Sequence, residues 1–367
     1  MVKKILLVTL YDEGNIGNRL QNYALQTKLL SYGTKVTTLD NCYTTDFSLS
    51  FKLKMFIKRV LADVGYKKYK VDCERYLSGK SIRLGNNNFD TRNLYKVIKM
   101  KTEDVFNSDW TSYDLAVVGS DQVWHKWKDD LNELPYYYLQ FMPKEKRTAY
   151  AASFGFDEFP KNDVQQHVKG IMEMNKISCR EKSGCRLVKK STEKNAIRVL
   201  DPTLLLSVSD WKEVENQSCD ISIINKKYRY VFLYFLGDIT DEYNNYIISI
   251  MKKNNINIIV DFFDTSKIKL KERGPAEFIK LINNAEYVFT DSFHCTVFSV
   301  LFNKEFTVFR RQQAGFENMF GRIEDLLASE NSLDHIYGGT DVEPTNDFDK
   351  LFDESVAYLE DILQVYE

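Results

Sequence analysis

Short apolar runs alternate with amphipathic stretches along most of the chain, a pattern that predicts α/β layers built on a parallel sheet. Residues 4–10 (KILLVTL) read as a buried strand, 18–31 as a helix ended by Gly33, and 35–39 as a second strand. The pattern predicts further strands at 114–118, 147–152, 176–179 and 197–200, with a helix after Arg180 that carries Leu187 and Val188. Over 207–227 the rhythm pauses in a polar stretch without a clean period, which reads as a linker or irregular crossover. A second series follows: strand 228–235, helix 240–253, strand 256–261, helix 275–284, strand 286–290, helix 294–302, strand 305–309 and helix 316–328. The last stretch, 347–365, sets Leu351, Phe352, Val356, Leu359 and Leu363 at helical spacing, as expected of a helix that crosses back to brace the first half. The expected fold is α/β, with two doubly wound Rossmann-like domains facing a central cleft. Their expected limits are 1–206 and 228–346, joined by the linker 207–227 and closed by a helix within 347–367.

A length of 367 residues suits two domains of about 150–200 residues each. With 44% hydrophobic residues and 6 prolines the chain has the apolar content to fill two cores, so disorder is excluded. The 50 Lys and Arg against 52 Asp and Glu give a net charge of -2, which points to no nucleic-acid partner. Residues 51–101 depart from this balance, with fourteen basic residues against four acidic. Phe51, Leu53, Met55, Phe56, Ile57, Val60 and Leu61 are interleaved with the charges, as in a basic amphipathic helix. Such a segment reads either as a solvated face or as a contact with an anionic membrane or lipid phosphate. Cys42, Cys73, Cys179, Cys185, Cys219 and Cys295 lack the spacing of a zinc knuckle and read as reduced thiols. The N-terminal apolar run is too short for a signal segment or a membrane span, so a cytoplasmic protein is expected.

In open α/β sheets ligands bind beyond the carboxyl ends of strands, which directs attention to five segments. Residues 11–18 (YDEGNIGN) contain glycines without the spacing of a dinucleotide fingerprint, so a nicotinamide or flavin is disfavoured. Asn15 and the helix face bearing Asn18, Asn22 and Gln26 offer uncharged groups for sugar hydroxyls or for satisfying a buried loop. Ser120, Asp121, Gln122 and Trp124 follow a strand as polar and stacking candidates, and 152–155 (ASFG) is a weaker segment of the same kind. Arg180 stands between a strand and a helix, where a guanidinium suits a carboxylate or phosphate. Its simpler reading is a pair with Glu181. Residues 290–296 (TDSFHCT) set His294 at a helix N-terminus, a position that favours anions and acid–base work. The other histidines, His125, His167 and His335, stand among polar residues, and no metal site is implied.

Taken together, residues 14–26 (GNIGNRLQNYALQ), 117–124 (VVGSDQVW), 150–155 (YAASFG), 177–184 (ISCREKSG), 200–202 (LDP), 274–285 (GPAEFIKLINNA) and 287–302 (YVFTDSFHCTVFSVLF) resemble the polysaccharide pyruvyl transferase family. The resemblance implies a fold similar to GT-B glycosyltransferases, with an N-terminal acceptor side and a C-terminal donor side. It implies transfer of a pyruvyl group from phosphoenolpyruvate to two sugar hydroxyls as a cyclic ketal, in surface polysaccharide or capsule synthesis and without a further cofactor. Arg180 and His294 then bind the donor, and His294 is also catalytic, with Asp121 as a second base. Some members carry Arg-Leu-His where this chain has Ser292-Phe293-His294, so Ser292 with backbone amides, Arg310 or Arg311 is expected to replace the missing cation. A glycine often follows the histidine in relatives, and here Cys295 does. The acceptor side is expected to use Asn15, Asn18, Asn22, Ser120, Gln122 and Trp124. A lipid-diphosphate-linked saccharide, met at the inner membrane face through residues 51–101, would suit both the family and the basic insert. Two competing readings are a nucleotide-sugar glycosyltransferase and a non-catalytic scaffold of glycan assembly.

Overall fold

A computed structural model describes residues 2–12, 14–41, 70–94, 96–127, 130, 132–219, 221–264, 270, 272–312 and 319–364, the side chains of 70–77 excepted. Seven parallel strands form the first sheet: β1 (Lys4–Val8), β2 (Lys35–Asp40), β3 (Val97–Lys99), β4 (Leu115–Val118), β5 (Arg147–Ala152), β6 (Lys176–Cys179) and β7 (Ile197–Arg198). Their spatial order is β3-β2-β1-β4-β5-β6-β7. The second sheet holds β8 (Val231–Tyr234), β9 (Ile259–Asp261), β10 (Tyr287–Thr290) and β11 (Phe306–Val308), also parallel, in the order β11-β10-β8-β9. The order reverses between β1 and β4 in one sheet and between β8 and β10 in the other. A crevice opens beyond the strand ends at each reversal. Val8 lies level with Val118, and Tyr234 with Thr290, so both pairs of strands stop together.

The strands form where the apolar runs fall, because a parallel sheet covered on both faces needs side chains buried on both sides. Ile5, Leu6, Leu7 and Val8 are all fully buried, as are Ala116, Val117 and Val118. The first helix, Ile16–Ser31, starts at Asn15, whose side chain accepts from the Asn18 amide, and ends before Gly33 at φ 73°. β7 is shorter than its apolar run: the Val199 amide still donates to the Cys179 carbonyl of β6 at 3.0 Å, and Leu200 leads into the turn at Asp201-Pro202.

The stretch 207–227 is more ordered than its polarity implies. It contains the helices Val208–Glu215 and Ser222–Asn225, the first opened by a reciprocal cap between Ser207 and Asp210. Trp211, Val214 and Ile221 enter a core shared with Ile16, Leu20 and Ala24 of the first helix and with Phe232, Phe278 and Phe298 around the second sheet. Three apolar residues in a polar stretch therefore suffice to seat it. The basic insert is also built into the fold over its later part. Helix Lys70–Asn93 sends Ile82 and Phe89 into the same core, and the Ser81 carbonyl accepts from the Arg273 amide at 3.1 Å. Residues 78–93 thus join the two halves through one buried face, while Lys80, Leu84, Asn87, Thr91 and Arg92 stay exposed on the other. Phe51, Leu53, Met55, Phe56, Ile57, Val60 and Leu61 lie outside the described residues.

Helix Phe348–Leu363 packs Tyr358, Leu359, Ile362 and Leu363 against Ile5, Leu7, Leu115 and Val117 of the first sheet. Its Tyr358 hydroxyl donates to the Ala149 carbonyl at 2.7 Å, and its Ser355 hydroxyl accepts from the Leu200 amide at 2.8 Å. Among the described residues no helix is long and apolar enough to cross a membrane. Cys179 and Cys295 are buried free thiols, and Cys185 and Cys219 are half-buried ones.

Candidate active site

The two crevices meet in one cavity of about 220 Å³, walled on one side by Asn15, Gly17, Asp121 and Gln122 and on the other by Ser292, Phe293, His294, Arg311 and Arg322. His294 sits in the first turn of helix Phe293–Leu301, which the Ser292 side chain does not cap. The first-turn amides therefore lack partners within the helix, and the macrodipole favours negative charge there. The helix Ile16–Ser31 brings its own N-terminus to the same place. A Cβ built on Gly17 would fall 2.3 Å from His294 Nδ1, so the glycine is what admits the imidazole against the helix. Gly17→Ala is expected to lower kcat by about 10²-fold through displacement of that ring. Elsewhere a helical Gly→Ala change stabilises, so comparison of turnover with the melting temperature separates the two effects.

Behind the histidine lies a buried charge chain. Arg180 donates from Nη1 to Asp201 Oδ2 at 2.8 Å and from Nη2 to Asp121 Oδ1 at 3.3 Å, and its guanidinium stacks 4.3 Å from the Phe293 ring centre. Its Nε is 3.8 Å from Glu181, so the neighbour is the weaker partner. Asp201 also accepts from the Ser120 hydroxyl at 3.0 Å and from the Thr203 amide and hydroxyl at 3.1 and 2.7 Å. His294 Nε2 faces the same carboxylate at 3.9 Å and makes no hydrogen bond among the described residues. Burial lowers the His294 pKa below its ordinary value, against the pull of Asp201 and Asp121, so the imidazole is neutral at pH 7. Burial alone would raise the Asp201 carboxyl, but His294, Arg180 and Thr203 together hold it below the usual carboxylate range.

Asp121 does not suit the role of a base. It accepts from Asn18 Nδ2 at 2.8 Å, lies 3.8 Å from Arg322 Nη1, and is held at low pKa because Arg180, His294 and Arg322 outweigh its burial. It is a fixed counter-charge. Arg180 itself is absent from the cavity wall, being enclosed by carboxylates behind Phe293. The cations that do face the cavity are Arg311 and Arg322. Arg311 is aimed by Asp291, which accepts from its Nε at 3.1 Å and also takes the amides of Leu236 and Gly237. Arg322 has 12% of its side chain exposed, and its buried Nε has no hydrogen-bond partner among the described residues. Burial and the neighbouring Arg180 bring its pKa down to about 10, which still leaves it charged.

Four residues expected at the site lie elsewhere or do something else. Arg310 points away from its neighbour, as successive residues on an extended chain do, and pairs with Glu324 at 2.9 Å over the Phe320 ring. Trp124 is fully buried, stacked on Tyr138 and donating to the Tyr137 carbonyl at 3.2 Å. Asn22 is fully buried and does not line the cavity; its Oδ1 accepts from Thr38, while its Nδ2 has no hydrogen-bond partner among the described residues. Ser120 is buried on Asp201, and the preceding Gly119 approaches the Tyr150 backbone, where a Cβ would fall 2.0 Å from the carbonyl oxygen, rather than a ligand. The remaining histidines are not in polar surroundings: His167 is fully buried against Phe159 with Tyr138 at 2.8 Å, and His125 and His335 lie against rings and carbonyls. Asp201 and Arg322 are the residues that sequence reasoning missed. Leu200-Asp201-Pro202 was visible as a motif, whereas Arg322 carried no signal. Among the described residues no three His, Cys, Asp or Glu side chains converge as metal ligands.

Two parallel Rossmann-like sheets with their switch points facing one cleft define the GT-B fold. Solved structures agree. A protein assigned as UDP-N-acetylglucosamine 2-epimerase from Listeria monocytogenes is similar with TM-score 0.55 at 12% identity, over 100% of this chain and 98% of that one. MnaA of S. aureus, solved with UDP, is similar with TM-score 0.52 at 10% identity, over 100% and 98%. The sequence profile of the polysaccharide pyruvyl transferase family matches residues 15–313, and the chain belongs to that family. No curated protein matches the chain in sequence.

Proposed function

We propose that the protein transfers the pyruvyl group of phosphoenolpyruvate to two hydroxyls of a sugar, giving a cyclic ketal and inorganic phosphate. The observation that carries this reading is the unpaired Nε2 of a neutral, buried His294, set at a helix N-terminus opposite Arg322 in one small cavity. A compact donor with a carboxylate and a phosphate matches two cations and two helix ends in a site shielded from water. Once the anionic donor is beside it, the imidazole takes up a proton, since nearby negative charge favours the charged form.

His294 then delivers that proton to the enol methylene, forming a C–H bond from the electrons of the carbon–carbon double bond. One sugar hydroxyl adds to the central carbon and loses its proton. Phosphate departs with the electron pair of its C–O bond, and the second hydroxyl closes the ring and loses its proton in turn. One proton has entered and two have left, so His294 recovers one and the other goes to phosphate or solvent. Asp201 and Arg180 act through His294 and Phe293 as positioning residues.

A thermal-shift comparison tests the donor. Phosphoenolpyruvate at about 100 times its Kd is expected to stabilise the protein by about 2.7 kcal/mol, and the shift is expected to vanish in Arg322→Ala. Stabilisation by a UDP-sugar with none by phosphoenolpyruvate would replace this reading with nucleotide-sugar transfer, and response to neither would leave a non-catalytic role.

A further inference from the structure

The helix Lys182–Thr192 follows Arg180 and Glu181 directly and begins without a cap of its own. Glu181 stands at the cap position, but its side chain caps no amide of the helix and accepts instead from the Phe154 amide at 3.3 Å. The cap comes from the other half of the chain. Asp325 Oδ2 accepts from the Lys182 amide at 2.9 Å, and its Oδ1 lies 3.9 Å from Lys182 Nζ. A carboxylate on the first amide of a helix satisfies an orphan donor and meets the positive end of the macrodipole. The Asp325 carbonyl in turn accepts from Arg198 Nη2 at 3.0 Å, so the first half of the chain holds this residue at two points.

Asp325 lies three residues beyond Arg322 on the helix Gly321–Ser329, hence on the same face. Arg322 reaches the cavity wall from this helix end, and its own ties are slight. Asp121 is 3.8 Å from its Nη1, the Phe293 ring centre is 5.4 Å from its guanidinium, and its Nε has no hydrogen-bond partner among the described residues. A side chain so loosely tied owes its place to the backbone that carries it. The two halves are also joined elsewhere, at helix Lys70–Asn93, where a Cβ on Gly85 would fall 2.3 Å from the Gly274 amide nitrogen. Loss of the Asp325 contact therefore frees one helix end and leaves the halves together.

We propose that Asp325 is a positioning residue: by capping the helix Lys182–Thr192 across the two halves, it latches the helix Gly321–Ser329 and fixes Arg322 at the cavity wall. Asp325 is not among the residues that line the cavity, so it acts through Arg322 rather than on the reacting atoms. Arg322 grips an anion in the ground state and the transition state alike. Opening the latch therefore raises KM for the anionic substrate and leaves kcat in place. That this anion is phosphoenolpyruvate rests on the pyruvyl-transfer reading; the latch itself does not.

The latch opens from either side. Asp325→Ala removes the acceptor. Lys182→Pro removes the donor at the first helical position, where proline is favoured and where Glu181, at φ -113° and ψ 153°, already suits a following proline. Each variant is expected to raise the KM for phosphoenolpyruvate on the order of ten- to a hundredfold, with kcat within about twofold of wild type. The double variant is expected to add nothing to the larger single effect, as for the two sides of one contact. Asp325→Asn keeps an oxygen for the Lys182 amide and is expected to restore most of the affinity. Hydrogen exchange of the full chain without ligand reads the latch alone: residues 321–329 are expected to exchange faster in Lys182→Pro as well as in Asp325→Ala. Additive KM effects, a fall in kcat at unchanged KM, an Asp325→Asn variant as weak as Asp325→Ala, or unaltered exchange at 321–329 in Lys182→Pro overturns the proposal. If phosphoenolpyruvate neither stabilises the wild type nor is turned over, the donor reading fails, and the exchange comparison decides the latch.

Discussion

His294→Ala is expected to lower kcat by about 10²–10⁴-fold, the range associated with loss of a general acid–base group. Phosphate release at saturating phosphoenolpyruvate measures it, and near-normal turnover would show that another group carries the proton. The pH dependence has a definite sign. In the free protein burial keeps the imidazole neutral at pH 7, and the donor must raise its pKa before it acts as an acid. Turnover therefore declines as pH rises through the value reached in the complex. Donor binding takes up a proton near neutral pH, which calorimetry in buffers of different ionisation enthalpy reads directly. His294→Gln is expected to bind the donor without that uptake.

Two kinds of information were carried by the sequence with different fidelity. The strand runs were legible because a buried parallel strand needs continuous apolar residues, and Lys4–Val8 and Leu115–Val118 form as those runs dictate. His294 was legible because a strand end, a helix start and a titratable side chain coincide in seven residues. Side-chain direction in irregular backbone was not. In 119–127 no period decides which residue faces the cleft, so Trp124 was as plausible as Trp127, and only the fold seats one in the core and the other at the opening. Arg310 and Arg311 differ for the same reason. Arg322 shows the remaining limit: an arginine in the first turn of the amphipathic helix Gly321–Ser329 looks like any solvated residue. It becomes a site residue only because that helix end is laid against Asp121 and Phe293 from the other half of the chain and from the facing helix. The buried role of 78–93 was hidden likewise, since its charge count outweighed the two apolar side chains that fix it.

Asp201→Ala is expected to cost about 3–5 kcal/mol of stability, the range for removing one partner of a buried ion pair. Asp201 is 1% exposed, and its loss leaves Arg180 in the interior with only the longer contacts to Asp121 at 3.3 Å and Glu181 at 3.8 Å. Its folded pKa is depressed, so the stabilisation it gives is complete above the unfolded carboxylate value of about 4 and is lost as pH falls toward the folded one. Denaturant titrations are expected to show wild type and variant drawing together on acidification. Asp201→Asn separates this structural contribution from a catalytic one. The amide keeps the shape and an oxygen for Thr203 but removes the charge that raises the His294 pKa. The imidazolium then loses its proton at lower pH, and the alkaline fall in kcat moves to lower pH with it. A residue that only held the fold together would reduce the amount of active protein and leave the midpoint of that fall where it stands.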